Sequence, residues 1–178
     1  MIPDCDTSNE PLGDVYVAML LVDLLSQDHD DQHAACELDR LLAEHNVDRA
    51  DVIQGVGTLI STFVAFLSDC CTNGDALHLI VPAVITRLKK IPWVFPQAIP
   101  TMAGALTAAT MNLSPTGWRR LYGPWSDFEL VAWTCTAWLL ADMIDFACEE
   151  KDAARKLIEQ AATTLLHNRD EQQPRGRP

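Results

Sequence analysis

The sequence predicts an all-α fold, a helical bundle of about six to seven helices around a central apolar helix at about 49–71. Three observations carry that expectation. Large apolar residues recur at spacings of three and four along most of the chain. Val52 to Ser68 contains no charge and is apolar on every side, as a core helix must be. No stretch alternates with period two between turn signals, so strands are not expected.

The elements follow in order. Residues 1–11 carry Pro3 and Pro11 with no apolar period and read as a loose leader. From Leu12 to about Gln27, Val15, Met19, Val22 and Leu25 keep helical spacing. A second acidic helix is expected at about 30–45, with Ala34, Leu38, Leu41 and Leu42 on its apolar side. Asp48 can cap the central helix, and Asp51 suits its positive end. Asn73-Gly74 stops it and Asp75 restarts a helix to about residue 90, where Pro82 predicts a kink or break. Pro92, Pro96 and Pro100 break the next segment, after which Ala103 to Leu113 reads as helical.

Ser114-Pro115 is an N-cap followed by a first-turn proline, opening a short helix through Tyr122 that Gly123-Pro124 ends. Ser126-Asp-Phe-Glu129 is a capping box. It opens a long helix at about 127–148 that runs on or restarts toward His167. Residues 169–178 read as a disordered tail. One α-helical domain over 12–168 follows, with acidic N-terminal helices at 12–45 and an apolar body at 49–168.

Charge divides the chain in the same way. The first 51 residues hold thirteen acids against two arginines, a net of −11 out of −12. An acidic protein with no dense cationic footprint is not expected to bind nucleic acid directly. An anionic membrane surface repels the acidic arm too. Insertion is not expected either, because Val52–Ser68 is short for a span and is diluted by Gln54, Gly55, Gly57, Thr58, Ser61 and Thr62. The six cysteines show no CxxC spacing, and the N-terminus has no basic-then-apolar segment, so buried thiols in a cytoplasmic protein are the expectation.

Two groups of residues can carry function. Asp142, Asp145, Glu149 and Asp152 share one face of a helix, and stacked carboxylates repel unless something neutralises them. A weak internal echo, seven identities in 21 positions, superposes Asp23, Ser26, Asp30 and His33 on those four. If Asp23, Asp30 and His33 face the stripe across the bundle, the oxygen-rich set suits Mg²⁺ or Mn²⁺ and phosphate-ester chemistry. Lys151, Arg155 and Lys156 lie close enough to neutralise it instead, as a solvated face requires. No Gly-x-Ser-x-Gly, phosphate loop or complete histidine–carboxylate metal signature is present, and His78 reads as a core or boundary histidine.

The second group is aromatic and basic. Trp118, Arg119, Arg120, Tyr122 and Trp125 have the composition of an interface hot spot, and Arg87, Lys89 and Lys90 form a cationic helix end. Core filling is the plainer role for the tryptophans, and Met102, Met111 and Met143 are further apolar candidates for a lined pocket. The uncharged stretches 52–68, 91–113 and 130–141 exceed what a small bundle readily hides. The leading expectation is therefore a non-catalytic interaction or regulatory module, without cofactor, that self-associates or binds a protein partner. The alternatives are a Mg²⁺- or Mn²⁺-dependent nucleotide or phosphate-ester hydrolase and a small-molecule-binding helical regulator.

Overall fold

The computed structural model describes residues 12–27, 40, 43–44, 48–70 and 75–161 of the 178. Helices and turns alone make up the described residues. Helix α1 is Val15–Gln27, α2 Arg49–Cys70 and α3 Ala76–Leu88. A 3₁₀ turn at Pro96–Ala98 leads into α4, Ile99–Thr110, followed by α5, Pro115–Arg120, and α6, Asp127–Cys148. A seventh helix, α7, runs over 153–161. The expected leader, the tail and most of the second acidic helix lie outside the described residues, although Arg40, Ala43 and Glu44 are helical.

Helix α2 is the hub, packed against α1, α3, α4, α5 and α6. Its large residues Val52, Ile53, Val56, Leu59, Ile60, Phe63, Val64 and Leu67 are all buried. Each such side chain contributes roughly 1.5–3 kcal/mol by leaving water. Helix α6 is the second core element, burying Leu130, Trp133, Leu139, Leu140 and Ile144. The α2 and α6 helices shelter much of each other's apolar surface, while Phe95 and Met111 of the stretch 91–113 are exposed. The α2 helix and Phe128–Cys148 are long and apolar enough to cross a membrane by length and composition, yet 61% of each apolar window is buried inside the bundle.

Close approach decides where α1 sits. Gly55 lies against the backbone of Asp14, where any Cβ would collide with the Asp14 carbonyl. The Asp14 N–H donates to the Asp51 carbonyl at 3.0 Å, and its carboxylate accepts from the Val17 N–H at 2.9 Å. That cap starts α1 three residues later than the apolar period predicts.

Two other points, at Pro82 and before Ala103, differ from expectation, whereas the end of α6 at Cys148 agrees with it. Helix α3 passes through Pro82 without a break, because Pro82 sits on the exposed face, where water can satisfy the carbonyl it leaves unbonded. Helix α4 begins before Ala103, with Pro100 in its first turn, where a missing N–H costs nothing. Helix α6 stops at Cys148. Glu149 turns left-handed at φ 53°, its N–H donates to the Phe146 carbonyl and the Glu150 N–H to that of Asp145, a Schellman closure.

Candidate functional site

The corner between α5 and α6 is built around Arg119. Ser114 caps α5, its hydroxyl accepting from the Gly117 N–H at 2.9 Å. The short helix then points Arg119 inward, where it is 5% exposed. Its Nε and Nη2 each donate to a Glu129 carboxylate oxygen at 2.7 Å. Nη1 and Nη2 also donate to the carbonyls of Gly123 and Pro124 at 3.0 Å, and the guanidinium lies 5.0 Å over the Trp125 ring. Glu129 accepts further hydrogen bonds from the Ser126 N–H at 2.9 Å and the Ser126 hydroxyl at 2.6 Å.

Burial opposes the Glu129 charge, but the hydrogen bonds from Arg119 and Ser126 outweigh it and lower its pKa from 4.5 to about 2. Behind this clamp Trp125 meets Trp133 edge-on at 5.0 Å. The Trp133 indole N–H donates to the Ile53 carbonyl at 3.2 Å, tying α6 to α2. Arg119 and Trp125 therefore face inward, although their composition marked them for a surface.

Trp118, Leu121 and Tyr122 make up the outward side. Trp118 is half-buried over Gly104, where any Cβ would strike the indole, and its ring lies 4.8 Å from Tyr122. Tyr122 is 66% exposed and Leu121 54%. Arg120 donates to the Gln54 side-chain oxygen at 2.6 Å. Of the other aromatic and methionine candidates, Met102 and Trp133 belong to the core, Met143 is half-buried and Met111 is exposed. Leu121 and Gly104 were missed; both lie beside flagged residues, but nothing in sequence shows which way they face.

The acidic stripe is not one helix face, because α6 ends at Cys148 and places Glu149 and Asp152 in the α6–α7 turn; Asp142, Asp145 and Asp152 line a cleft of about 250 Å³ between α1, α6 and that turn. Met19, Val22, Trp138 and Ala141 form its apolar wall, and Asp23, Asp142, Asp145, Lys151, Asp152 and Arg155 its polar one. The cleft thus has Asp23 in its lining together with Asp142 and Asp145. Asp30 and His33 lie outside the described residues.

Three carboxylates in the cleft have protein partners. Asp142 pairs with Arg87 of α3, and Asp23 with Arg155 of α7, whose pKa its hydrogen bond and charge raise. Asp145 accepts from the N–H groups of Asp152 and Ala154, each at 2.9 Å, and so caps α7. Glu149 is exposed at the left-handed turn. Among the described residues, no three His, Cys, Asp or Glu side chains are grouped to hold a metal ion. Arg87 thus pairs with Asp142 of the cleft, whereas Lys89 and Lys90 stand exposed just after α3.

The nucleophile candidates are equally plain. Burial pushes the Cys135 thiol up to about 12 despite the opposing pull of the Trp93 indole, so it stays protonated in the core. The Trp93 N–H itself is buried without a full hydrogen bond. His78, expected at the core or its boundary, is exposed beside Asp75 at 3.8 Å.

No family model matches the chain, and no solved structure matches it. One curated protein, an ABC-type transporter of Gibberella zeae, is 28% identical over 115 residues. That stretch covers 60% of this chain but spans only 8% of the transporter's length.

Proposed function

We propose that the chain is a non-catalytic α-helical interaction module whose docking element is the corner at 118–122, taking a protein partner or a second copy. The single observation behind this reading is the Arg119–Glu129 clamp. It fixes the loop through the Gly123 and Pro124 carbonyls and leaves Leu121 and Tyr122 displayed beside the half-buried Trp118. A rigid aromatic and aliphatic display loses little entropy on binding, which makes hot spots of this composition effective.

The metal-hydrolase alternative has less support. Arg87, Arg155 and two backbone N–H groups already engage Asp142, Asp23 and Asp145, three of the carboxylates that it needs free. A small-molecule regulator would use the same cleft, where Asp23, Asp142 and Arg155 are already paired. Membrane placement is disfavoured by the mutual burial of α2 and α6 and by the ion pair that Glu129 makes inside the bundle. The transporter likeness adds no function, since it touches so small a part of that protein.

A photo-crosslinking residue at Tyr122 tests the reading in the organism's own cells. A discrete adduct is expected from position 122 and none from exposed Gln97. Equal labelling at both positions, or no adduct at 122, overturns it.

A further inference from the structure

The turn between α6 and α7 joins two helices that the sequence would equally well make one. Residues 145–161 contain no glycine or proline and are rich in Glu, Lys, Ala and Arg, all good helix formers. Yet the four residues 149–152 fold back, with Glu149 at φ 53° and Asp152 at φ 62°. For residues with a Cβ, each left-handed placement carries a penalty equivalent to roughly five- to thirtyfold in population. Straightening the turn into helix relieves both penalties. It also gives the first N–H groups of α7 intrahelical acceptors in place of the Asp145 carboxylate that now caps them.

What holds α7 down is independent of the turn. Ala153 and Ala154 are buried, and Leu157 and Ile158 pack half-buried against the same core. Arg155 pairs with Asp23 of α1. Every one of these contacts can be remade by α7 of another copy in the same groove. A lone opened chain would leave these apolar residues in water, so the open form needs that second copy.

We infer that α7 is exchangeable, and that two copies of the chain swap it by straightening residues 149–152 into one continuous helix with α6. In the exchanged dimer Arg155 of one copy meets Asp23 of the other. The short, strained hinge is the feature that makes exchange inexpensive. The inference stands apart from the docking corner and does not rest on it.

Sedimentation of the full chain under reducing conditions, across the micromolar range, tests it with three variants. Wild type is expected to form a concentration-dependent dimer. Glu149→Gly/Asp152→Gly relieves the turn and penalises the straight helix, so it should weaken dimerisation by at least roughly a hundredfold. Deleting residues 150–151 leaves a hinge too short to fold back and should give a dimer at every concentration. Leu121→Ser/Tyr122→Ser should leave the dimer intact. A folded monomer from the deletion, undiminished dimerisation of the double-glycine variant, or a monomeric wild type overturns the inference. Loss of the dimer in the corner variant alone also overturns it, while leaving the docking corner standing. If the deletion variant fails to fold, the double-glycine comparison decides.

Discussion

Glu129→Gln keeps the shape of a side chain that joins α5 to α6 and removes only its charge, leaving Arg119 as a buried cation without a counter-charge. Two routes give the expected cost. Breaking a buried ion pair by removing one partner costs about 3–5 kcal/mol, with glutamine at the lower end because it keeps an acceptor. A carboxyl moved from 4.5 to about 2 favours its charged form by roughly 3 kcal/mol. Urea unfolding at neutral pH, followed by tryptophan fluorescence and far-UV circular dichroism, should therefore show a loss of about 3 kcal/mol.

The pH dependence supplies a second check. Because the folded pKa of Glu129 lies below its unfolded value of 4.5, its contribution is complete above that value and disappears as the pH falls to about 2. The stability gap between wild type and variant must close over that window. A gap below about 1 kcal/mol at neutral pH, or one that persists unchanged at about pH 2.5, would refute the argument.

Three further outcomes follow from the packing. Gly104→Ala should destabilise by about 1–3 kcal/mol through collision with Trp118, against the gain that helix propensity alone would give; a more stable variant in the same urea assay contradicts the placement of that ring. Asp145→Ala removes the cap of α7, so amide exchange over 152–161 should quicken roughly tenfold while α2 is unchanged, since losing a cap costs about 1 kcal/mol. Equal acceleration in both regions would mean that α7 is not locally held by that carboxylate. Millimolar Mg²⁺ or Mn²⁺ should leave the melting temperature unchanged, and a rise that Asp142→Asn abolishes would restore the metal reading.

The apolar periods made most helices legible, and local caps placed several of their starts. Ser114-Pro115 and Ser126–Glu129 each began a helix where the residues said it would. Of the carboxylate stripe only Asp142 and Asp145 fell on α6, since the helix ends before Glu149, and the cleft they line also contains Asp23. Its neutralisation was only partly readable. Arg155 was visible as a neighbour of Asp152, yet it pairs with Asp23 across 132 residues, and Arg87 reaches Asp142 across 55. Trp125 and Arg119 carried the composition of a surface hot spot and turned inward, because composition does not specify direction.

Period and capping chemistry are local, so residues within a few positions of one another determined the all-α class, the core identity of α2 and the strongest helix starts. The sequence by itself also determined that Asp142 and Asp145 lie one turn apart on α6, whereas Glu149 and Asp152 fall in the turn beyond its end. Tertiary structure alone decided which cations answer them, that α2 and α6 shelter each other, and that the chain folds back at Glu149 where its local preferences permit straight helix. Those outcomes depend on contacts between distant segments, whose energies exceed the small local biases written into either segment.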